Sequence, residues 1–182
     1  MKILGISGSL RKASWNTAAL RAVPALLPDG HEFSIAEIGD LPLINQDLEV
    51  DGKYPDPVQR LRSAIMAADA LLFATPEYNA SIPAPLKNAI DWASRPANCF
   101  AGKPVAILGV AGGLLGTARA QYPLRQTLGV LSVQMLFQPE VFIGGAGQKF
   151  DEQGRLTDET TRDFLGKMLA TFVTFAERVR TG

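Results

Sequence analysis

The chain reads as an α/β protein built on a doubly wound parallel sheet. Two observations predict it: short apolar runs alternate strictly with longer helical patterns, and three of those runs are nearly continuous, as in strands covered on both faces. A third concerns size, because 182 residues suit one compact domain over 1–182 that holds itself together without disulfide or structural metal.

The first strand is Ile3-Leu4-Gly5-Ile6, followed by a polar loop and a helix over about 16–27. Phe33-Ser34-Ile35 forms the second strand. Residues 37–57 hold six acids against one base and read as a long surface loop. A helix over about 56–68 leads into the third strand, Ala70-Leu71-Leu72-Phe73-Ala74, and prolines then open a helix over about 83–94. The fourth strand spans 105–110, a helix covers about 117–128, and the last strand lies near 133–137. In the final helix, over about 158–180, Phe164, Leu165, Met168, Leu169, Phe172, Val173, Ala176 and Val179 make one apolar stripe, with Thr157 placed to cap its start.

Composition removes several chemistries. Cys99 and His31 are the only residues of their types, too few for a zinc site, and a Ser-His-Asp or Cys-His enzyme would have to use His31 itself. No metal is expected. The longest uncharged stretch, 104–118, has 15 residues with four glycines, short of a membrane span, and no apolar signal core follows Met1-Lys2. A soluble cytoplasmic protein is expected, without a membrane partner. Lys plus Arg and Asp plus Glu balance at 18 each, and no basic face stands out, so a small molecule is expected rather than nucleic acid.

In open sheets of this kind ligands sit beyond the carboxyl ends of the strands. After the first strand comes Ser7-Gly8-Ser9-Leu10-Arg11-Lys12-Ala13-Ser14-Trp15-Asn16-Thr17, hydroxyl, amide and basic groups leading into a helix start. Backbone N–H groups there, with Ser, Thr, Asn and Arg donors, suit a phosphate, although the same residues also make an ordinary capped turn. The spacing matches neither G-x-G-x-x-G, nor the P-loop, nor G-x-S-x-G. After the third strand, residues 75–85 combine a rigid proline turn with Tyr78, which can cover a flat heterocycle whose edge meets backbone groups; a stiff turn is the plain alternative. After the fourth, Ala111-Gly112-Gly113-Leu114-Leu115-Gly116-Thr117 lets a ligand approach bare backbone. A phosphorylated planar ligand fits all three loops.

The motifs Gly8-Ser9-Leu10-Arg11-x-x-Ser14-x-Asn16-Thr17, Pro76-Glu77-Tyr78-Asn79, Leu86-Lys87-Asn88-Ala89-Ile90-Asp91-Trp92, and Gly112-Gly113 followed by Arg119-Ala120-Gln121 and Leu124-Arg125 resemble the NADPH-dependent FMN reductase family. That flavodoxin-like group contains quinone, chromate and azo reductases, and the resemblance extends through Pro139-Glu140 to Lys149-Phe150-Asp151. It implies a three-layer sandwich, a five-stranded parallel sheet of order 2-1-3-4-5, and noncovalent FMN. Ser9, Arg11, Ser14, Asn16 and Thr17 would hold its phosphate, Pro76, Glu77, Tyr78 and Asn79 would line the isoalloxazine ring, and Ala111, Gly112 and Gly113 would close the pyrimidine side. Ala84 stands where the family commonly has glycine, and Leu115 interrupts the glycine run.

The implied activity is ping-pong: NAD(P)H reduces FMN, and a quinone, chromate, an azo compound or free flavin then takes two electrons. No catalytic acid or base is named, since the cofactor carries the chemistry. Arg11 and Lys12 are the nearest candidates for a nicotinamide 2′-phosphate, while Trp15 receives no role. A homodimer or homotetramer is implied, with Tyr122 and Arg125 as candidates to face another subunit. The competing readings are a flavodoxin-type electron carrier and a flavin-free binding domain.

Overall fold

The computed structural model describes residues 1–181, in which five helices flank one parallel sheet. Its elements are β1 (Lys2–Ser7), α1 (Trp15–Ala22), β2 (Glu32–Ala36), α2 (Asp56–Ala67), β3 (Ala70–Ala74), α3 (Ala84–Ala93), β4 (Pro104–Val110), α4 (Ala118–Val130), β5 (Gln134–Met135), β6 (Val141–Ile143) and α5 (Glu159–Thr181). The order β2-β1-β3-β4-β5 is the one implied by the motifs. Every residue of β3 and β4 is buried, as their continuous apolar runs require.

One expectation needs correction. The strand placed near 133–137 is β5, which pairs with the start of β4 (Val105 opposite Met135), but a further strand, β6, pairs with the end of β4 (Leu108 opposite Val141), so five strands were one too few. The sheet therefore has six strands. The intervening segment includes Pro139, which has no N–H to contribute to a ladder. Two apolar layers enclose the sheet: Leu20, Leu72, Leu108, Leu169 and Phe172 on one side, and Ile6, Leu61, Phe73, Ile90 and Leu124 on the other.

A second correction concerns α5. Asp158, not Thr157, caps it, accepting from the N–H (2.9 Å) and the hydroxyl of Thr161. Thr157 turns back instead, with its N–H on the Lys149 carbonyl at 2.9 Å.

The family-like run on α3 has a physical task. Asn88 accepts from Ile44 N–H (2.8 Å) and donates to the Pro42 carbonyl (2.9 Å), to which Trp92 Nε1 also donates (2.8 Å). Trp92 is fully buried, so the long 37–55 loop is anchored to α3 rather than left loose. Beneath it lies buried Arg62, which donates to the carbonyls of Trp92 (3.2 Å), Ala93 (3.3 Å), Ala97 (3.1 Å) and Arg95, with Tyr54 stacked on its guanidinium at 4.7 Å. A cation at the carbonyl end of α3 is also favoured by the helix dipole.

Candidate functional site

The loops after β1, β3 and β4 meet at one end of the sheet, where β1 and β3 stand side by side at the topological switch point. Ser9, Arg11, Ser14 and Asn16 from the first loop line one cleft with Pro76, Glu77 and Tyr78 from the second and Ala111 and Gly112 from the third. Trp15 and Val110 complete it. Of the expected residues, Thr17, Asn79 and Gly113 do not line the cleft. Thr17 is turned to Ser7, hydroxyl to hydroxyl at 2.8 Å.

Ser14 starts α1: its Oγ accepts from the Thr17 N–H at 3.2 Å. The N–H groups of Trp15 and Asn16 have no partner among the described residues, as the first turn of a helix leaves them. Two free N–H groups, the Ser9 and Ser14 hydroxyls and Arg11 form a donor set that fits a phosphate. Asn16 differs from expectation. Its buried amide donates to the Val110 carbonyl (2.9 Å) and accepts from the Val110 N–H (3.0 Å), so the side chain joins α1 to the end of β4 and leaves the backbone N–H for an anion.

The second loop turns tightly. Tyr78 and Ser81 exchange two backbone hydrogen bonds (3.2 and 3.0 Å) around Asn79 and Ala80, both in the left-handed region at φ 49° and 61°. This hairpin leaves the Tyr78 ring half exposed. Glu77 instead points to α4, where its carboxylate accepts from the N–H groups of Arg119 (3.0 Å) and Ala120 (3.3 Å) and from Arg119 Nε (2.6 Å). Thr117 offers no side-chain cap there, so Glu77 is the helix cap, supplied from 42 residues away.

The third wall depends on two glycines. A Cβ on Gly109 would lie 1.6 Å from Thr117 Oγ1 and 2.8 Å from the Thr75 carbonyl, so only hydrogen fits. Gly116, at φ 59°, passes the backbone of Phe142, where a Cβ would meet the carbonyl carbon at 2.9 Å. Its close approach is thus to β6. At Gly113 an added Cβ would touch nothing, and Leu114 is 94% exposed, so this rim is open.

Trp15 is the residue that sequence reasoning passed over. A Cβ on Gly112 would lie 3.5 Å from its ring, so the two face each other across the cleft floor. Its position between Ser14 and Asn16 was the available signal. Arg11 sits in the cleft; Lys12 does not. Arg125 is turned inward, over the Phe137 ring at 5.8 Å and 3.7 Å from Glu140, and burial pushes its pKa down. Tyr122 remains exposed. Burial also pushes the Cys99 thiol up, against the opposing pull of Arg62 and Lys103, the direction expected of a buried structural cysteine.

Residues 1–148 match the model of the family described as NADPH-dependent FMN reductase. The chain belongs to the NADPH-dependent FMN reductase family. It is 52% identical over 181 residues to an NAD(P)H-dependent FMN reductase of Pseudomonas aeruginosa, covering 99% of this chain and 97% of that one. It is 44% identical over 185 residues to an NADPH:quinone oxidoreductase of Arabidopsis thaliana, covering 99% and 94% respectively. Among solved structures, a flavoenzyme NAD(P)H:(acceptor) oxidoreductase of Paracoccus denitrificans superposes with a TM-score of 0.89 at 39% identity, covering 97% of each chain. Family membership gives FMN as the cofactor and NAD(P)H as the cosubstrate.

Proposed function

We propose that this chain is an FMN-dependent NAD(P)H oxidoreductase that reduces quinones, with chromate, azo compounds and free flavin as further acceptors. The observation that carries the reading is convergence: an unpaired anion-binding helix start and an aromatic-bearing loop share one cleft at the switch point. When bound, FMN supplies hydride acceptance from NAD(P)H and two-electron delivery to the acceptor.

Everything else falls to the chain. The N–H groups of Trp15 and Asn16, the Ser9 and Ser14 hydroxyls and Arg11 hold the phosphate; Thr17 supports them through Ser14. Pro76, Glu77, Tyr78 and Asn79 line the ring, the first three from the cleft wall and Asn79 from the turn behind it, while Ala111, Gly112 and Gly113 close the pyrimidine side with backbone dipoles. No side-chain acid or base is required. The exposed Tyr122, Leu114, Leu115 and Phe137 support a homodimer or homotetramer. No helix among the described residues is long and apolar enough to cross a membrane; a cytoplasmic location is part of the proposal.

The test is an anaerobic visible spectrum of the FMN-reconstituted protein before and after one equivalent of NADPH, then of a quinone. Bleaching to the two-electron form and recovery with quinone is the expected result. Bound flavin that ignores NADPH would assign a carrier instead, and failure to bind FMN would remove the reading altogether.

A further inference from the structure

A second cavity, of about 280 Å³, lies between α1, the turn that joins Phe150 to Leu156, and the start of α5. Its floor is apolar, made by Ala18, Ala22 and Leu156. Around that floor stand Arg21, Arg155 and Arg162, one from each of the three segments, and no acid lines it. A chain of zero net charge has here gathered three guanidinium groups about one hollow.

The fold uses these arginines only in part. Arg155 Nε is held by Asp151 at 2.6 Å, while one of its terminal nitrogens has only a long 3.4 Å contact with Gln153. Arg162 donates from Nη1 to the Leu156 carbonyl at 3.2 Å, and Glu159 stands 3.9 Å from its Nε. The Arg21 side chain makes no hydrogen bond or ion pair among the described residues. Each group therefore keeps donors free. Gathering like charges around one hollow raises the local potential and favours an anion there. Guanidinium forks match the two-oxygen edge of a carboxylate or phosphate, and the apolar floor matches a ring.

We propose that this cavity binds a small organic anion, a single ring carrying a phosphate or carboxylate group, at a site separate from the FMN cleft. The volume sits just below the roughly 300–1,000 Å³ of sites for larger ligands, which limits the occupant to about one ring.

The experiment is calorimetric titration of the FMN-saturated protein with phenyl phosphate, benzoate and phenol. FMN occupancy keeps the phosphate probe out of the cleft. One equivalent of phenyl phosphate or benzoate is expected to bind, with phenol at least tenfold weaker; the tighter anion identifies the group recognised. The double variant Arg21→Gln with Arg162→Gln should weaken that binding at least tenfold while its bound-flavin spectrum and thermal midpoint stay near those of the parent. Lys167→Gln, an exposed charge elsewhere on α5, should leave it unchanged. Binding of neither anion, equal binding of phenol, binding that survives the double variant, or equal weakening in Lys167→Gln would each overturn the proposal. Should the double variant fail to fold, Arg21→Gln alone decides, because Arg21 supports nothing else in the fold.

Discussion

The side-chain amide of Asn16 closes both polar groups of the Val110 backbone, donating at 2.9 Å and accepting at 3.0 Å. Two cleft walls that are 94 residues apart in sequence are thereby fixed to each other through one buried side chain. Replacement of Asn16 by Ala would strand the N–H and the carbonyl of Val110. The expected loss is about 2–4 kcal/mol of stability, together with weaker FMN binding because the two walls lose their register. Urea denaturation of the FMN-free protein checks the first, and flavin-fluorescence titration the second. An unchanged urea midpoint would contradict the clasp.

Ser14 offers a cleaner reading of the phosphate cradle. Ser14→Ala removes one donor and the α1 cap, so the FMN dissociation constant should rise about tenfold, equivalent to about 1.4 kcal/mol, with about 1 kcal/mol lost from the FMN-free fold. A constant that does not move would take Ser14 out of the site.

Glu77 separates two contributions. Arg119 is 62% exposed, so their ion pair contributes little, and Arg119→Ala should cost less than about 1 kcal/mol. Glu77→Ala also leaves the N–H groups of Arg119 and Ala120 without their acceptor and should cost about 1–2 kcal/mol. Thermal midpoints of the two variants, compared side by side, test that order. Equal losses would mean that the exposed pair, not the helix cap, matters.

Ala80 sits at φ 61°, a conformation that costs a residue with a Cβ about 1–2 kcal/mol. Glycine removes that strain but loses more chain entropy on folding, so Ala80→Gly should stabilise the protein by about 0.5–1 kcal/mol. The thermal midpoint should rise; a fall would show that the turn is not strained.

Acid sensitivity follows from the α5 cap. The hydroxyl and N–H of Thr161 hold the Asp158 carboxyl below the usual carboxylate range, helped by Lys149. A carboxyl depressed in the folded state stabilises the fold above its unfolded value of about 3.9 and loses that contribution as pH falls through the lower folded value. Asp158→Asn keeps an acceptor for the Thr161 N–H but cannot titrate. Its urea midpoint should therefore fall less steeply than the parent's between pH 5 and pH 2. Parallel curves would assign the acid sensitivity elsewhere.

The sheet was legible because β1, β3 and β4 are covered on both sides and must be written as unbroken apolar runs. The break between β5 and β6 was not, since strands of two and three residues carry no periodicity. In the site, residue types were readable but their assignments were not. Asn16 looked like a phosphate donor, and only the approach of β4 shows its amide engaged at both ends. Glu77 looked like part of a ring-facing loop, yet its partners lie 42 and 43 residues further along the chain. Thr157 and Asp158 are both good caps, and the choice between them is made by Lys149, whose carbonyl takes the Thr157 N–H.

Gly109 has further reach. Because Thr117 and the Thr75 carbonyl fill the space where its side chain would stand, the end of β4 beneath the cleft residues Val110 and Ala111 admits no variation there, whereas the rim around Gly113 and Leu114 faces open space. Mutational tolerance is thus divided within a few residues, between the end of β4 and the loop that follows it. Directed evolution aimed at new electron acceptors should randomise 113–115 and hold 109 and 117 fixed, so that most library members still fold while the surroundings of the incoming oxidant change.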